Sequence, residues 1–515
     1  MDLFRPFRDG WPDLPCSIVC AVFHRRLCMR TQRLLACLFL LSGLSAWRAA
    51  PAAEFVVTSR LDSGAGTLRE AMFAANSTAN PPHTIRFESP YPIGGRIVLA
   101  STLPSLGQAT IIDGGDRFAQ LSGNEQFPLL LTSQPLTIRN LQLMDGWAPA
   151  VNTTAGNGGC IRYNGTGSNL LVENARFENC AARSLLIASG GAIQWLSGSG
   201  SVTIRNSVFQ LNAAVSNDAG SEQPRGGAIA ASGNILIEDS TFDNSQALAQ
   251  GGTRGGFGGA LSLGAPESGA VTIRGNRFRF NLATPDAANL GWGGAVYVSA
   301  DSNAEVTLEN NWFRENMALL GSAAHIRMVG TGITLALRNN SFQGNEAVEG
   351  GQVSVIGGQV RFWHNSFDAG LATSGSQLRL ESSDVRQFSN NILGRSTGTS
   401  ACQTIGIDRT NLVGAGNVLV APCTGLELAD DQLLGSDPLP IRDESQRIGV
   451  LVYADDLRIL DRGSDLPEHC LVTDARGTPR SLDGNADGAT RCDPGALEHA
   501  SPRVFRDGFE TISIP

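Results

Sequence analysis

The sequence predicts an all-β chain wound as a right-handed parallel β-helix, with a short N-terminal capping helix closing its first coil. Three observations lead there. Two short patterns alternate along the middle of the chain, the segments between them alternate apolar and polar residues with period two, and 60 of the 515 residues are Gly. A chain of this length is either several domains or one long repeat array. Internal repetition decides for the array. With 42% apolar and only 17% charged residues, the chain can fill a core and is too apolar to stay disordered.

The first pattern is Gly-Gly-Ala followed by an aliphatic residue, at Gly190 to Ile193, Gly226 to Ile229, Gly258 to Leu261 and Gly293 to Val296. Degraded copies begin at Gly158 and Gly350. The second is an alternating apolar strand, a polar turn residue, then Phe and often Asn three residues later. Val202 to Asn206 leading to Phe209 and Asn212 is one strict copy, and Val306 to Asn310 leading to Phe313 and Asn316 is another. From Phe177 the Phe positions continue through 209, 242, 278, 313, 342 and 367. The spacing varies and the segments are rich in β-branched residues, which excludes a helical solenoid and indicates strands. Neither face of one repeat can be buried alone, so repeats stack into parallel sheets, and crossover handedness favours the right-handed coil.

Each position then acquires a role. Ile204 and Phe209 point into the core and stack on their equivalents, including Leu308 and Phe313, while Thr203 and Arg205 point outward. Asn140, Asn174, Asn206, Asp239, Asn310 and Asn339 occupy one place in each coil, where side-chain amides are expected to ladder inside a tight bend. The paired glycines serve a positive φ or a close approach where the coil turns. Loops of variable length, such as Ser216 to Pro224 and Gln250 to Phe257, carry the spacing differences outward, and specificity is expected there.

The ends are legible as well. Residues 1–53 read as an upstream extension over 1–28 and a signal peptide over 29–53: Arg30 and Arg33 precede an apolar run from Leu34 to Trp47, and Ala50-Pro51-Ala52 is a small-residue cleavage site. That run is short for a membrane span, so no transmembrane segment is expected in the mature chain. Residues 54–110 form the N-terminal cap and first coils, 111–400 the repeats, 401–499 the C-terminal coils with a disulfide-stapled cap, and 500–515 a tail. In the cap, Thr67-Leu68-Arg69-Glu70 is a capping box, with Thr67 accepting from the Glu70 amide and Glu70 reaching back to the Thr67 amide. Leu68, Ala71, Met72 and Ala75 give this helix one apolar face, and strands are expected at Phe55 to Val57 and Thr84 to Phe87.

Beyond the leader remain Cys160, Cys180, Cys402, Cys423, Cys470 and Cys492, an even number in a chain expected to be exported, so disulfides are the natural reading. Six cysteines allow 15 pairings. Sequence neighbours are the favoured choice: Cys160 with Cys180, Cys402 with Cys423, Cys470 with Cys492.

Asp62-Ser63-Gly64-Ala65-Gly66-Thr67-Leu68-Arg69-Glu70-Ala71-Met72 resembles the CSLREA motif that opens many exported bacterial β-helix proteins, with Gly66 where that motif often has Cys. The Gly-Gly-Ala and Phe-x-x-Asn copies are similar to the repeats of chlamydial polymorphic membrane proteins, which are autotransported adhesins. Arg491 to Glu498 resembles the closing motif of choice-of-anchor β-helix proteins, and Val504 to Glu510 looks like a short C-terminal signature of exported gammaproteobacterial proteins. These resemblances imply the fold and export to the cell surface or medium. Without a run of strands for an outer-membrane barrel, they do not imply self-transport.

Charge restricts the function. All 39 basic residues are Arg, which removes chemistry that needs a Lys base or Schiff base. The leader carries seven Arg and is net positive, so the remainder is more acidic than the whole-chain net charge of −9, which argues against nucleic acid as the main ligand. Asp483, Asn485 and Asp487, with Gly488 in sixth place, match the start of a calcium loop; Pro494 stands where the bidentate Glu belongs, leaving Asp493 or Glu498 as substitutes against a plain Asx-rich turn. No cofactor is expected, unless calcium binds this loop.

Asp113 and Asp116 suggest paired carboxylates on a groove, although a strand followed by a tight turn accounts for them as well. His325 and His364 have no carboxylate at an evident partner spacing. Arg139, Arg205 and Arg274 recur at one coil position, either as a strip for acidic sugars or paired with Glu173, Glu238 and Glu309. Trp195 and Trp292 lie beside glycine pairs and suit either sugar stacking or packing. No catalytic residue stands out. The expectation is a secreted or cell-surface, noncatalytic, monomeric β-helix protein that binds a polysaccharide or a surface in the manner of an adhesin. The alternative, by analogy with the pectate-lyase-like fold, is a polysaccharide lyase or hydrolase acting on an acidic polysaccharide, with calcium and an Arg base.

Overall fold

The structure, a computed structural model, describes residues 52–500 apart from 89–94, 149–155, 186, 218–222, 251–254, 284–290, 374, 398–399, 435, 437, 439, 444–449 and 454–455. The signal-peptide reading up to residue 51 and the tail from 501 lie outside the described residues. Among the described residues no helix is long and apolar enough to cross a membrane.

Each repeat winds once through three faces. Strands such as Ile229–Glu238 and Val296–Ala300 with Glu305–Glu309 belong to a 20-stranded sheet that takes two segments from most coils; Phe-bearing strands such as Thr241–Asp243 build a 13-stranded sheet; and strands such as Gln246–Ala249 build a 7-stranded one. Successive coils pair in parallel and in register, with Ile204 beside Ile237, Ile237 beside Ile273 and Ile273 beside Leu308. One antiparallel pair, Ile441–Asp443 with Val450–Val452, lies in the C-terminal region. The chain is therefore a parallel β-helix.

The core follows from the alternation. Phe177, Phe209, Phe242, Phe278, Phe313, Phe342 and Phe367 are fully buried and form one column, with ring centroids 4.5 to 5.0 Å apart and planes within 9°. That spacing is the inter-strand distance of a parallel sheet, so every coil adds one ring to the stack. The glycine pair has two distinct jobs, seen at Gly226 and Gly227. Gly226 holds φ 61°, and a Cβ on Gly227 would lie 2.1 Å from the Gly259 carbonyl of the next coil.

The ladder lies one residue further along than expected. Asn140, Asn174, Asn206, Asp239, Asn310 and Asn339 are the bend residues themselves, all with φ between 49° and 55°. At the N-terminal end rungs join there: Asn140 donates to Asp113 and Asn174 to Asn140, at 2.9 and 2.6 Å. A left-handed bend directs its own side chain away from the core, and the next residue points in. Asn276, Asn311, Asn340, Asn365, Asn391 and Asn417, all buried, therefore form the continuous ladder, each amide nitrogen donating to the next oxygen at 3.0 to 3.1 Å. A second buried ladder uses the Asn of the Phe-x-x-Asn pattern, running from Asn281 through Asn316 and Asn345 to Gln352 and Gln377.

The helix Leu68–Ser77 covers the first coil with Leu68, Ala71, Met72 and Ala75. Thr67 Oγ1 accepts from the Glu70 amide at 3.3 Å, but the Glu70 carboxylate takes the N–H of Gly66 rather than that of Thr67, at 2.5 Å. Gly66, at φ 71°, sits in the tight turn that brings its amide to the carboxylate. A Cβ there would lie 2.2 Å from Thr58 Oγ1, so the Cys common in the motif does not fit this backbone without movement.

Three disulfides join Cys160 to Cys180, Cys402 to Cys423 and Cys470 to Cys492. The C-terminal region does more than finish the coils. Residues 464–496 return along the flank of the coils at 339–392, where Asn339 donates to the Thr473 carbonyl, Trp363 Nε1 to the Glu468 carbonyl, and Asn390 to the carbonyls of Ser464 and His469.

Candidate ligand-binding groove

Outward positions of the long sheet line a groove of about 760 Å³. Its floor comes from the first strand segment of successive coils: Ala230 and Ser232, then Ser262 and Gly264, then Tyr297 and Ser299, then Arg327. Its wall comes from the residue just before each glycine pair. Ser189, Arg225, Phe257 and Trp292 form successive parallel bridges, one per coil, because the positive-φ glycine that follows fixes where each sits. The groove thus runs across coils spaced about 4.8 Å apart, along the stacking direction.

Aromatic rings dominate its centre. Phe257 lies 4.6 Å from Tyr297 and 5.1 Å from Trp292; Trp292 lies 5.3 Å from the His325 ring, which is parallel to Tyr297 within 4°. The Arg225 guanidinium stands 5.9 Å from the centre of the Phe257 ring. Burial raises the Tyr297 phenol above its ordinary value, opposed by Arg327 and Arg225 and by hydrogen bonds to Ser299 and Arg327. Burial, with Arg379 and Arg327 nearby, lowers His325 to about 3, so it is a neutral ring beneath the aromatic cluster. No Asp or Glu lines the groove among the described residues. Phe257 and Tyr297 are each only 8% exposed and stack on one another, so the arrangement offers a partly exposed Trp292 with limited further aromatic surface, hydroxyls and two cations, and among the described lining no acid/base pair of carboxylates.

The sequence-level candidates divide. Trp292 lines the groove. Trp195 is buried in the core, stacked 4.3 Å from Tyr163, with its Nε1 donating to the Ser168 carbonyl. Arg139 and Arg205 pair with Glu173, and Arg205 and Arg274 with Glu238, so the Arg strip is held in ion pairs across neighbouring coils. Asp113 accepts from the Gly115 amide at 2.9 Å as a turn residue, and Asp116 is exposed beside it. His364 is buried under the returning segment, its Nδ1 3.1 Å from the Asp493 carbonyl oxygen.

Asp483, Asn485 and Asp487 lie in one loop, where each side chain accepts from a backbone amide, those of Gly488, Asp487 and Ala489. Asp493 accepts from the amides of Asp461 and His499. Among the described residues, the one group of three or more His, Cys, Asp or Glu with ligand atoms within 4.8 Å of one another is His364, Cys470 and Cys492, and its two cysteines are the disulfide pair.

Sequence reasoning missed Arg225, Phe257, Tyr297 and Arg327 as a set. The wall had a signal, since each wall residue precedes a glycine pair. The floor had only strand alternation, which marks a residue as outward without saying that a wall stands beside it.

No curated protein matches the chain. Residues 129–347, which hold the groove and most of the Phe column, match the family model described as right handed beta helix region, which gives the hand of the coil, and the parallel stacked sheets fit that fold.

Proposed function

We propose that this chain is an exported, noncatalytic β-helix protein of the cell surface or medium that binds an extended polymer along the groove, in the manner of an adhesin. The observation that carries the reading is the groove itself, an aromatic trough crossing several coils with no carboxylate among its described lining residues. An extended ligand suits it better than a compact one, because like positions recur at every coil along its length. Aromatic faces that stack on sugar rings, beside Ser hydroxyls that hydrogen bond to them, favour a polysaccharide.

The test is retention of the purified chain on a panel of neutral and charged polysaccharides, alongside absorbance of unsaturated sugar products and a reducing-end assay. Retention without turnover is expected, and Trp292→Ala is expected to weaken it about tenfold or more. Turnover of a retained polymer would instead establish the lyase or hydrolase reading, and failure to retain any polymer would remove the groove as a binding site.

A further inference from the structure

We infer that the groove selects an anionic glycan, with Arg225 and Arg327 reading its acid groups while Phe257, Trp292 and Tyr297 support its rings. This rests on the groove being a polymer site and names what that polymer must carry. Both guanidinium groups are exposed, and among the described residues neither forms an ion pair. The contrast with other outward arginines of the same coils is direct. Arg205 and Arg274 share Glu238, and Arg379, on the same strand column as His325 two coils further on, pairs with Glu381. The groove lacks any such neutralising carboxylate among its described lining.

Placement supports a polymer with repeated charge rather than a single small anion. Arg225 is in the wall, and Arg327 is in the floor three coils later, about 14 Å along the stacking direction. Tyr297 lies between them and feels both charges. A ligand that engages both residues follows the groove across several coils. The Trp292 indole N–H, buried and without a partner among the described residues, is a donor left for a ring hydroxyl. A nucleic acid is the competing polyanion. Two cations in an otherwise neutral trough, on a chain of net charge −9 with no Lys, give little of the phosphate neutralisation that such a ligand needs.

The test is titration calorimetry of the purified chain with oligogalacturonate and with the same oligomer fully methyl-esterified, which keeps the rings and removes the charge. Oligoalginate, a heparin-derived oligosaccharide and single-stranded DNA of similar length form the further arms, the first two separating carboxylate from sulfate. The expected result is acid bound at least about tenfold tighter than ester. Arg225→Gln and Arg327→Gln should each reduce affinity for the acid severalfold and shrink the ratio of acid to ester affinity, while Trp292→Ala weakens both and keeps that ratio. Oligogalacturonate and its ester bound equally, with neither oligoalginate nor the heparin-derived oligosaccharide bound more tightly than the ester, or DNA bound as well as the best glycan, overturns the selectivity and leaves the polymer site standing. Binding of no oligomer in any arm removes both readings. Circular dichroism on each variant separates loss of a contact from loss of fold.

Discussion

The coils at 225–327 and those at 339–392 are built from the same repeat, yet they treat their outward residues differently. In the first set an open groove is lined by aromatic rings and two arginines. In the second, residues 464–496 lie over the flank, and a buried ion pair, Arg480 with Glu498, is held beneath them, with Arg480 also donating to Asn339 Oδ1 at 2.8 Å. The difference teaches that a solenoid's outer surface is a choice made coil by coil. Where the chain supplies its own cover, outward polar groups are satisfied internally; where it does not, the exposed chemistry must suit something else.

The largest expected effect tests what the two regions share. Phe278→Ala beneath the groove and Phe367→Ala beneath the covered flank each remove one ring from the same column, and each should cost about 3–5 kcal/mol in chemical denaturation. A much smaller loss at one of them would show that the column is not a single packed unit.

Acidity should separate the regions. Burial, with Asp493 close by, raises Glu498 to about 7. A carboxyl whose folded value exceeds its unfolded value of about 4.5 holds more protons when folded, so its contribution is complete below about pH 4.5 and is lost as pH rises through 7. That contribution is on the order of 3 kcal/mol. Protease sensitivity within 464–498 should therefore increase from pH 5 to 8, Glu498→Gln should flatten the trend, and the groove coils should not follow it. His325 acts in the opposite sense: its folded value is lowered, so stability is lost as pH falls below about 6.5 towards 3.

The smallest effects distinguish the inner ladder from the bend column beside it. Asn340→Ala strands buried partners above and below and should cost about 2 kcal/mol, whereas Asn174→Ala breaks an exposed rung and should cost about 0.5 kcal/mol. Equal losses would mean that both columns carry the bend.

Much of the fold was legible because a repeat writes the same requirement many times. The Phe spacing identified the ring column even though coil lengths differ, since loops absorb the variation before the next ring is reached. The Asn pattern identified an amide ladder but placed it on the bend residue; whether residue 310 or 311 points inward depends on a φ of 55° that the letters do not state. Glu238 and the Arg strip were readable as either partners or binding groups, and only the distance across coils decided for pairing.

The sequence by itself determined the parallel coil, the buried ring column, the capping helix and the glycine pairs at most turns of the central coils, because these depend on local pattern and on contacts between equivalent residues of neighbouring repeats. Tertiary structure alone decided that Arg225, Phe257, Trp292, Tyr297 and Arg327 share one groove and that residues 464–496 cover the flank at 339–392. Those arrangements depend on which loop stands beside which strand face, and on a segment more than a hundred residues away returning to one side of the coils. Neither is encoded in any single repeat.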